Sequence, residues 1–477
     1  PLHHRLMRNL TNEIEGACGV PTARYGECCG RRREDQLRAA VRRKMVSRTV
    51  SMIVPIADLL KSTEHSLHEH LVRTSYHDQN KTAHLIVQVY RTHAKRTAAP
   101  LNTLYDDIRT VLQPSKLTID SLLWSETSPR NLIDSTKRFF HNLFPVACHA
   151  ILEVDTKHLT TEYELCLKDA YNEINPFGDV PNEMGTALSR SLEGSRALIH
   201  ALAFGAIALS TSADVLRQAD HGECSDILLK AAACARCKGL DVRPCKNYCL
   251  NVVRGCLGYL AELDASWSIY VDGVEMMAGN DHDNILLNLE SRFSKAIMHS
   301  MLKKNEIKIH ELCGQPTMLD TPGSVGPALS KSSAFRGPPH NSEMLLFQAK
   351  FTAYRNIFIG LSDPVCEDPD VSTEENRNCW NGEHFGEYTK PLVSSSTTGE
   401  QKYNPEVTGL KPSIIPAITM LADRLQQNRL IYAYFPIPSS GYRVGTITQL
   451  HLIISPRKYI IKGEPHSSTL PCTAMFT

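Results

Sequence analysis

Residues 234 to 256 read CARCKGLDVRPCKNYCLNVVRGC, with five cysteines at C-x2-C-x7-C-x3-C-x6-C. Three chemistries use such a run: a zinc site, a dithiol redox centre, or the anchor of a disulfide framework. Zinc would draw thiolates from Cys234, Cys237, Cys245 and Cys249, but the two pairs lie only seven residues apart and eleven further cysteines are left over. Redox chemistry wants C-x-x-C opening a helix after a strand, whereas ECSDILLKAAA ahead of it has helical character and Gly239 is a helix stop. A framework has geometry on its side. Pro244 suits the first turn of a helix that KNYCLNVVRGCLGYLAEL continues, and Cys245, Cys249 and Cys256 then fall near one stripe. Buried free thiols explain one cysteine, not six within 33 residues. The framework is preferred, with an intracellular zinc-binding interaction scaffold as the alternative.

The cysteines beyond this run cluster too. Of fifteen in the chain, three lie at 18 to 29, six at 224 to 256, and two at 366 and 379. Clusters far apart in sequence suit long-range staples in an oxidising compartment. Asn9 (NLT) and Asn80 (NKT) are glycosylation sequons compatible with secretion. With 52 basic and 51 acidic residues, the chain lacks the basic excess of a dedicated nucleic-acid binder. It starts at Pro1 without an apolar leader and reads as a mature form or a fragment. The longest apolar run, ALIHALAFGAIAL (197 to 209), is too short to span a bilayer and carries His200, so a core helix is expected.

Helical periodicity dominates from 34 to about 313. Segments are predicted at 34–72, kinked at Pro55, and at 81–96, 101–113, 128–144, 161–174 and 184–218. Residues 314–342 are rich in Pro, Gly and Ser and read as a mobile surface loop. Helices are predicted again at 343–361 and 412–430, and from 431 the chain turns β-prone. The fold class is all-α, with a core domain over 1–430 and an atypical tail over 431–477.

Catalytic signals are weak. The chain has no G-x-S-x-G, H-E-x-x-H, Walker A or G-x-G-x-x-G, so no enzymatic activity and no cofactor are expected. His65, His68, His70 and His77 read as a solvated helix face rather than metal ligands. The basic groups at 31–33 and 42–44 could hold a sulfated polysaccharide by charge, although neighbouring Glu34 and Asp35 favour an ordinary solvated face. Trp267 and Trp380 read as packing residues.

The signature at 234–256 closely resembles that of the glypican family: CxxCxG, then a Pro-Cys, an aromatic-Cys and a Gly-Cys on one helix. YGECC (25–29), NPFGDVP (175–181), HGECSDILLK (221–230), LAELDASW (260–267), CGQP (313–316), RNCWNG (377–382) and NPEVTGLKP (404–412) agree with it. LNVVRGC and LAELDASW look nearer to the branch with vertebrate glypicans three and five and the fly protein Dally. The resemblance covers about residues 15 to 430.

The resemblance implies an elongated, secreted, disulfide-stapled helical core, with a cysteine-rich lobe formed by 15–33 and 224–260. It implies covalent heparan sulfate, a GPI anchor to the plasma membrane, and partners among Wnt, Hedgehog, BMP-type and FGF-type ligands and their receptors. Carried over by position, it pairs Cys18–Cys234, Cys29–Cys237, Cys166–Cys313, Cys224–Cys256, Cys245–Cys379 and Cys249–Cys366. Cys28, Cys148 and Cys472 are left unpaired. Three departures stand beside it. The 314–342 loop, where many family members carry a basic processing site, has only Lys331 and Arg336. The one Ser-Gly pair is Ser440-Gly441, a weak glycosaminoglycan acceptor. The end, STLPCTAMFT, lacks the apolar tail of a GPI signal.

Overall fold

The computed structural model describes residues 17–18, 31–113, 131–154, 158–218, 222–279, 282–319, 340–408 and 415–434. One compact unit spans Pro1–Phe435 and a second Pro436–Thr477; the second lies wholly outside the described residues. The described residues are 77% helical, and strand is confined to two antiparallel two-residue pairs, His158–Leu159 with Met318–Leu319 and Cys379–Trp380 with Phe385–Gly386.

The first helix, α1 (Arg31–Tyr90), is 60 residues long. Its buried stripe runs through Ile53, Ile56, Leu60, Leu67 and Leu71 at helical spacing. It continues through Pro55, which is exposed along with Ser51, so water can serve the carbonyl that loses its amide partner. Two separate segments were expected from the periodicity because RTSYHDQN (73–80) is polar. Five of those residues point inward or half inward all the same. Asp78 is buried, its carboxylate accepts a bond from the Tyr105 hydroxyl, and Thr82 Oγ1 lies 3.0 Å from that same hydroxyl. Desolvation raises the Asp78 carboxyl to about 6.

A 3₁₀ segment, Arg91–Thr97, turns the chain into α2 (Ala98–Leu112). Next comes α3 (Leu132–Ile151), whose N-cap Asn131 accepts from the amides of Ile133 and Asp134. The helix α4 (Thr161–Asp169) is capped by Thr160. The central helix is α5 (Val180–Gln218). It is long and apolar enough to cross a membrane, yet 67% of its most apolar window is buried inside the protein, which makes it a core helix. Close approach is allowed by Gly205, where a Cβ would collide with the Tyr270 hydroxyl that donates to Ala201 O. Phe139, Phe140, Phe144, Phe177 and Phe293 form a cluster of edge-to-face and tilted rings between α3, α5 and their neighbours.

The remaining longer helices are α6 (Gly222–Ala232), α7 (Lys246–Cys256), α8 (Asp264–Ala278), α9 (Leu289–Ser300), α10 (Lys303–Cys313), α11 (His340–Phe351) and α12 (Pro416–Tyr434). Two helix expectations are corrected here. The helix predicted at 343–361 ends at Phe351, and short turns follow, one of them capped where Asp264 Oδ1 accepts from the amides of Phe358 and Ile359. The last helix runs on to Tyr434, so IYAY belongs to it and not to a β-prone tail. The predicted 314–342 loop begins with the Met318–Leu319 strand and ends in α11; residues 320–339 lie outside the described set.

Candidate functional site

The cysteine-bearing helix α7 is the hub. Cys245 is its N-cap, which leaves Pro244 one step outside the helix and not in its first turn. Pro244 instead lies in extended pairing, its carbonyl accepting from Thr373 N while Cys245 N donates to Trp380 O. From α7, Cys245 bonds Cys379, Cys249 bonds Cys366, and Cys256 bonds Cys224 on α6. One short turn earlier, Cys234 bonds Cys18, which precedes α1. Cys237 is disulfide-bonded as well, and its expected partner Cys29 lies outside the described residues. With these sulfurs oxidised, no thiolate of the 234–249 set remains for zinc. A fifth bond between described residues, Cys166–Cys313, joins α4 to α10.

The lobe around α7 is wider than the expected 15–33 and 224–260, because residues 366–407 fold onto it. Two buried polar side chains on α7 hold that irregular segment. Asn251 donates to the Tyr388 hydroxyl and Pro391 O, each at 2.9 Å, and accepts from Val393 N at 3.0 Å. Its own carbonyl accepts from Asn404 at 2.7 Å. Arg254 donates to Val393 O, to Ser362 and to Asp363. Neither residue stands out by composition. The available signal was their i, i+3 placement among Cys249, Val252, Val253 and Cys256, all buried on the same short helix. Trp380 is fully buried and donates from Nε1 to Lys230 O. Gly382 takes a φ of 101° against the Tyr248 ring, a conformation and a space that only glycine accepts.

The other sequence candidates are placed as follows. Cys148 is a free, buried thiol on α3, its pKa pushed up by burial. Asn80 is exposed on α1, with the sequon threonine Thr82 buried beneath it. Trp267 is fully buried and donates to Tyr354 O. Cys28, Cys29, Cys472, Asn9 and Ser440 lie outside the described residues. The expected solvated histidine face is corrected: His65 does pair with Glu69 at the surface, but His70 is mostly buried with Nε2 2.8 Å from Asp283. Among the described residues no three His, Cys, Asp or Glu side chains are arranged to hold a metal ion.

Further imidazoles are buried: His93 and His149, which nothing in the sequence singled out, and His200, in the run read there as a core helix. His149 stacks on His93 at 3.7 Å, with His158 edge-on to His93. Burial, then the neighbouring His93, lowers His149 to about 4. His200, buried on α5 beside Arg196, is lowered by burial to about 4 also.

The glypican family model matches residues 11–430. The chain belongs to the glypican family. Human glypican-5 is 27% identical over 416 residues, covering 84% of this chain and 69% of that protein. The Division abnormally delayed protein (Dally) of Drosophila melanogaster is 27% identical over 443 residues, covering 84% and 68%. Among solved structures, the Drosophila Dally-like protein core domain aligns with a TM-score of 0.61 at 20% identity, over 85% of this chain and 98% of that one. Full-length glypican-1 core protein aligns with a TM-score of 0.65 at 20% identity, over 85% and 90%. Glypicans are proteoglycan core proteins of the cell surface or extracellular space, which places this helical, disulfide-bonded fold among them.

Proposed function

We propose that this glypican-family chain is the core of an extracellular heparan sulfate proteoglycan, held at the plasma membrane by a GPI anchor. In this reading it acts as a co-receptor or reservoir for Wnt, Hedgehog, BMP-type and FGF-type ligands. The observation that carries the reading is the set of disulfides radiating from α7 within a glypican fold, a framework that persists only in an oxidising compartment. Ser440 is the proposed glycosaminoglycan acceptor, Asn9 and Asn80 the N-glycan acceptors, and Cys29 the partner of Cys237. Acyl-bearing ligands belong in the proposal because the fold neighbour Dally-like protein has been solved in complex with O-palmitoleoyl serine, at a TM-score of 0.60 and 20% identity.

With a net charge of +1, the bare core exerts little overall pull on basic ligands. Heparan sulfate therefore supplies most of the affinity for an FGF-type factor, and the core itself the affinity for a lipid-bearing one. The test is surface binding of both ligand types to the secreted protein before and after heparinase. Loss of FGF-type binding with retention of the acylated ligand is expected. Equal retention of both after digestion would overturn the division of labour, and binding of neither before digestion would overturn the co-receptor reading.

A further inference from the structure

The first five turns of α1 carry an exposed basic stripe that the framework does not use. Arg32, Arg33, Arg43 and Lys44 are all exposed. On a helix of 3.6 residues per turn, Arg32 lies above Arg43 and Arg33 above Lys44, so the four share one face. The two pairs are about 16 Å apart along the axis at 1.5 Å per residue. Between them the exposed side chains on this face are uncharged, Gln36, Ala39 and Ala40, so no anion interrupts the track.

The acids that would neutralise such a face are engaged elsewhere. Glu34 is buried, its carboxylate accepting from the amides of Ala17 and Cys18 at 3.0 and 3.2 Å. Asp35 pairs with Arg38, which also reaches Asp226, and Arg48 pairs with Asp368. The four stripe cations have no ion-pair partner among the described residues; Arg33 donates only to the neutral Gln36. The local field is therefore positive on a protein whose net charge is only +1.

We infer that this stripe is a docking track for a sulfated polysaccharide chain. Four cations in two pairs strung along a line match a linear polymer of repeated anionic groups better than a compact anion, which would contact one pair alone. Arginine offers a planar fork to sulfate-like oxygens as it does to phosphate. A nucleic acid fits poorly: the stripe presents no aromatic ring on which a base could stack. The inference goes beyond the proposed co-receptor role and does not require any growth factor to bind.

The test uses the secreted protein after heparinase digestion, so that no resident chain occupies the stripe, with a size-defined heparin oligosaccharide as probe. Affinity should fall with salt at a log–log slope of about −3, roughly what four contacts to a flexible polyanion release. Arg32→Gln, Arg33→Gln, Arg43→Gln and Lys44→Gln together should weaken binding at least tenfold and flatten that slope. A control variant neutralises Lys61, Lys304, Lys350 and Lys402 to Gln, exposed cations elsewhere with the same total charge; it should bind as the parent does. Unchanged melting of both variants shows that they are folded. Equal loss in both variants, or loss in neither, would overturn the stripe as the site. Equally tight binding of polyglutamate would overturn the sulfated polysaccharide as its partner.

Discussion

Around α7, the segment from Asp368 to Thr408 has almost no regular structure, yet Cys379, Trp380, Tyr388 and Val393 within it are buried. Between α3 and α5 the buried residues are instead Phe139, Phe140, Phe144, Leu188 and Leu192, all on long regular helices. The helical body satisfies its backbone internally, so apolar contact and dispersion can hold it. The irregular segment has no such ladder. Backbone groups within it are met by Asn251 and Arg254 of α7, its own Asn376 and Asn404 bond Asn247 N and Asn251 O of α7 in return, and Cys366 just before it and Cys379 within it are bonded to that helix. Sequence as polar as STEENRNCWNGEHFGEYTK buries too little apolar surface to order itself, and cross-links make up the difference.

The sharpest way to break this contrast is to replace Cys245 and Cys249 together by Ser. The chain-entropy cost of the 117-residue Cys249–Cys366 separation is about 5 kcal/mol. Cys245–Cys379 is nested beside it, so with its neighbour intact it closes an effective loop of only about 17 residues, worth about 3 kcal/mol. The double variant should therefore lose about 8 kcal/mol locally. Hydrogen exchange and limited proteolysis should show 368–408 released while α3 and α5 stay protected. A global collapse of protection would show that the two regions are not separable. The single Cys245→Ser variant should cost nearer 3 than 5 kcal/mol.

The converse variant is Phe140→Ala, which opens a cavity among Phe139, Phe177 and Phe293. It should cost about 3–5 kcal/mol in denaturant titration, with an unchanged disulfide map. Scrambled pairing would mean that the body guides the lobe during folding.

Acid separates the regions by charge. His149 and His200, both about 4 when folded, bind fewer protons than in the unfolded chain. Their contribution is complete above the ordinary histidine pKa of about 6.5 and is lost as pH falls toward 4, up to about 3 kcal/mol each. Asp78, raised to about 6, acts with the opposite sign between about 4 and 6, where the folded state holds the extra proton. Stability of the body should therefore rise from pH 4 to 6.5, and Asp78→Asn should steepen that rise. A flat profile in the variant would show that neither imidazole is buried neutral.

The smallest expected effect is that of Asn251→Ala. It leaves Pro391 O and Val393 N without their side-chain partner, at a cost of about 2 kcal/mol. Exchange should quicken at residues 388–393 alone.

The same contrast decides what could be read from the sequence. Where burial is apolar and periodic, as in 197–209 of α5, the helix and its core position were legible. Where polar residues occupy a buried stripe, periodicity failed: the polar run 73–80 around Asp78 hid the continuity of α1, and nothing singled out Asn251 and Arg254 as buried on α7. The stripe of Cys245, Cys249 and Cys256 announced a framework, but not its connectivity, since six cysteines alone allow 15 pairings. The pairs came from family resemblance. The two-residue strands at 158–159 and 379–380 are too short to leave any alternating pattern.

Pairing over such distances also sets a clock for biosynthesis. Cys18 is made early, and Cys234 follows 216 positions later. At 5–20 residues per second, Cys18 waits about 10–40 s for its partner to be polymerised. Late in that interval Cys166 is added and stands without Cys313, so the growing chain presents several reactive sulfurs and no correct match for them. Fidelity in making this molecule is then a matter of holding early thiols in exchangeable bonds until the α7 hub has been delivered.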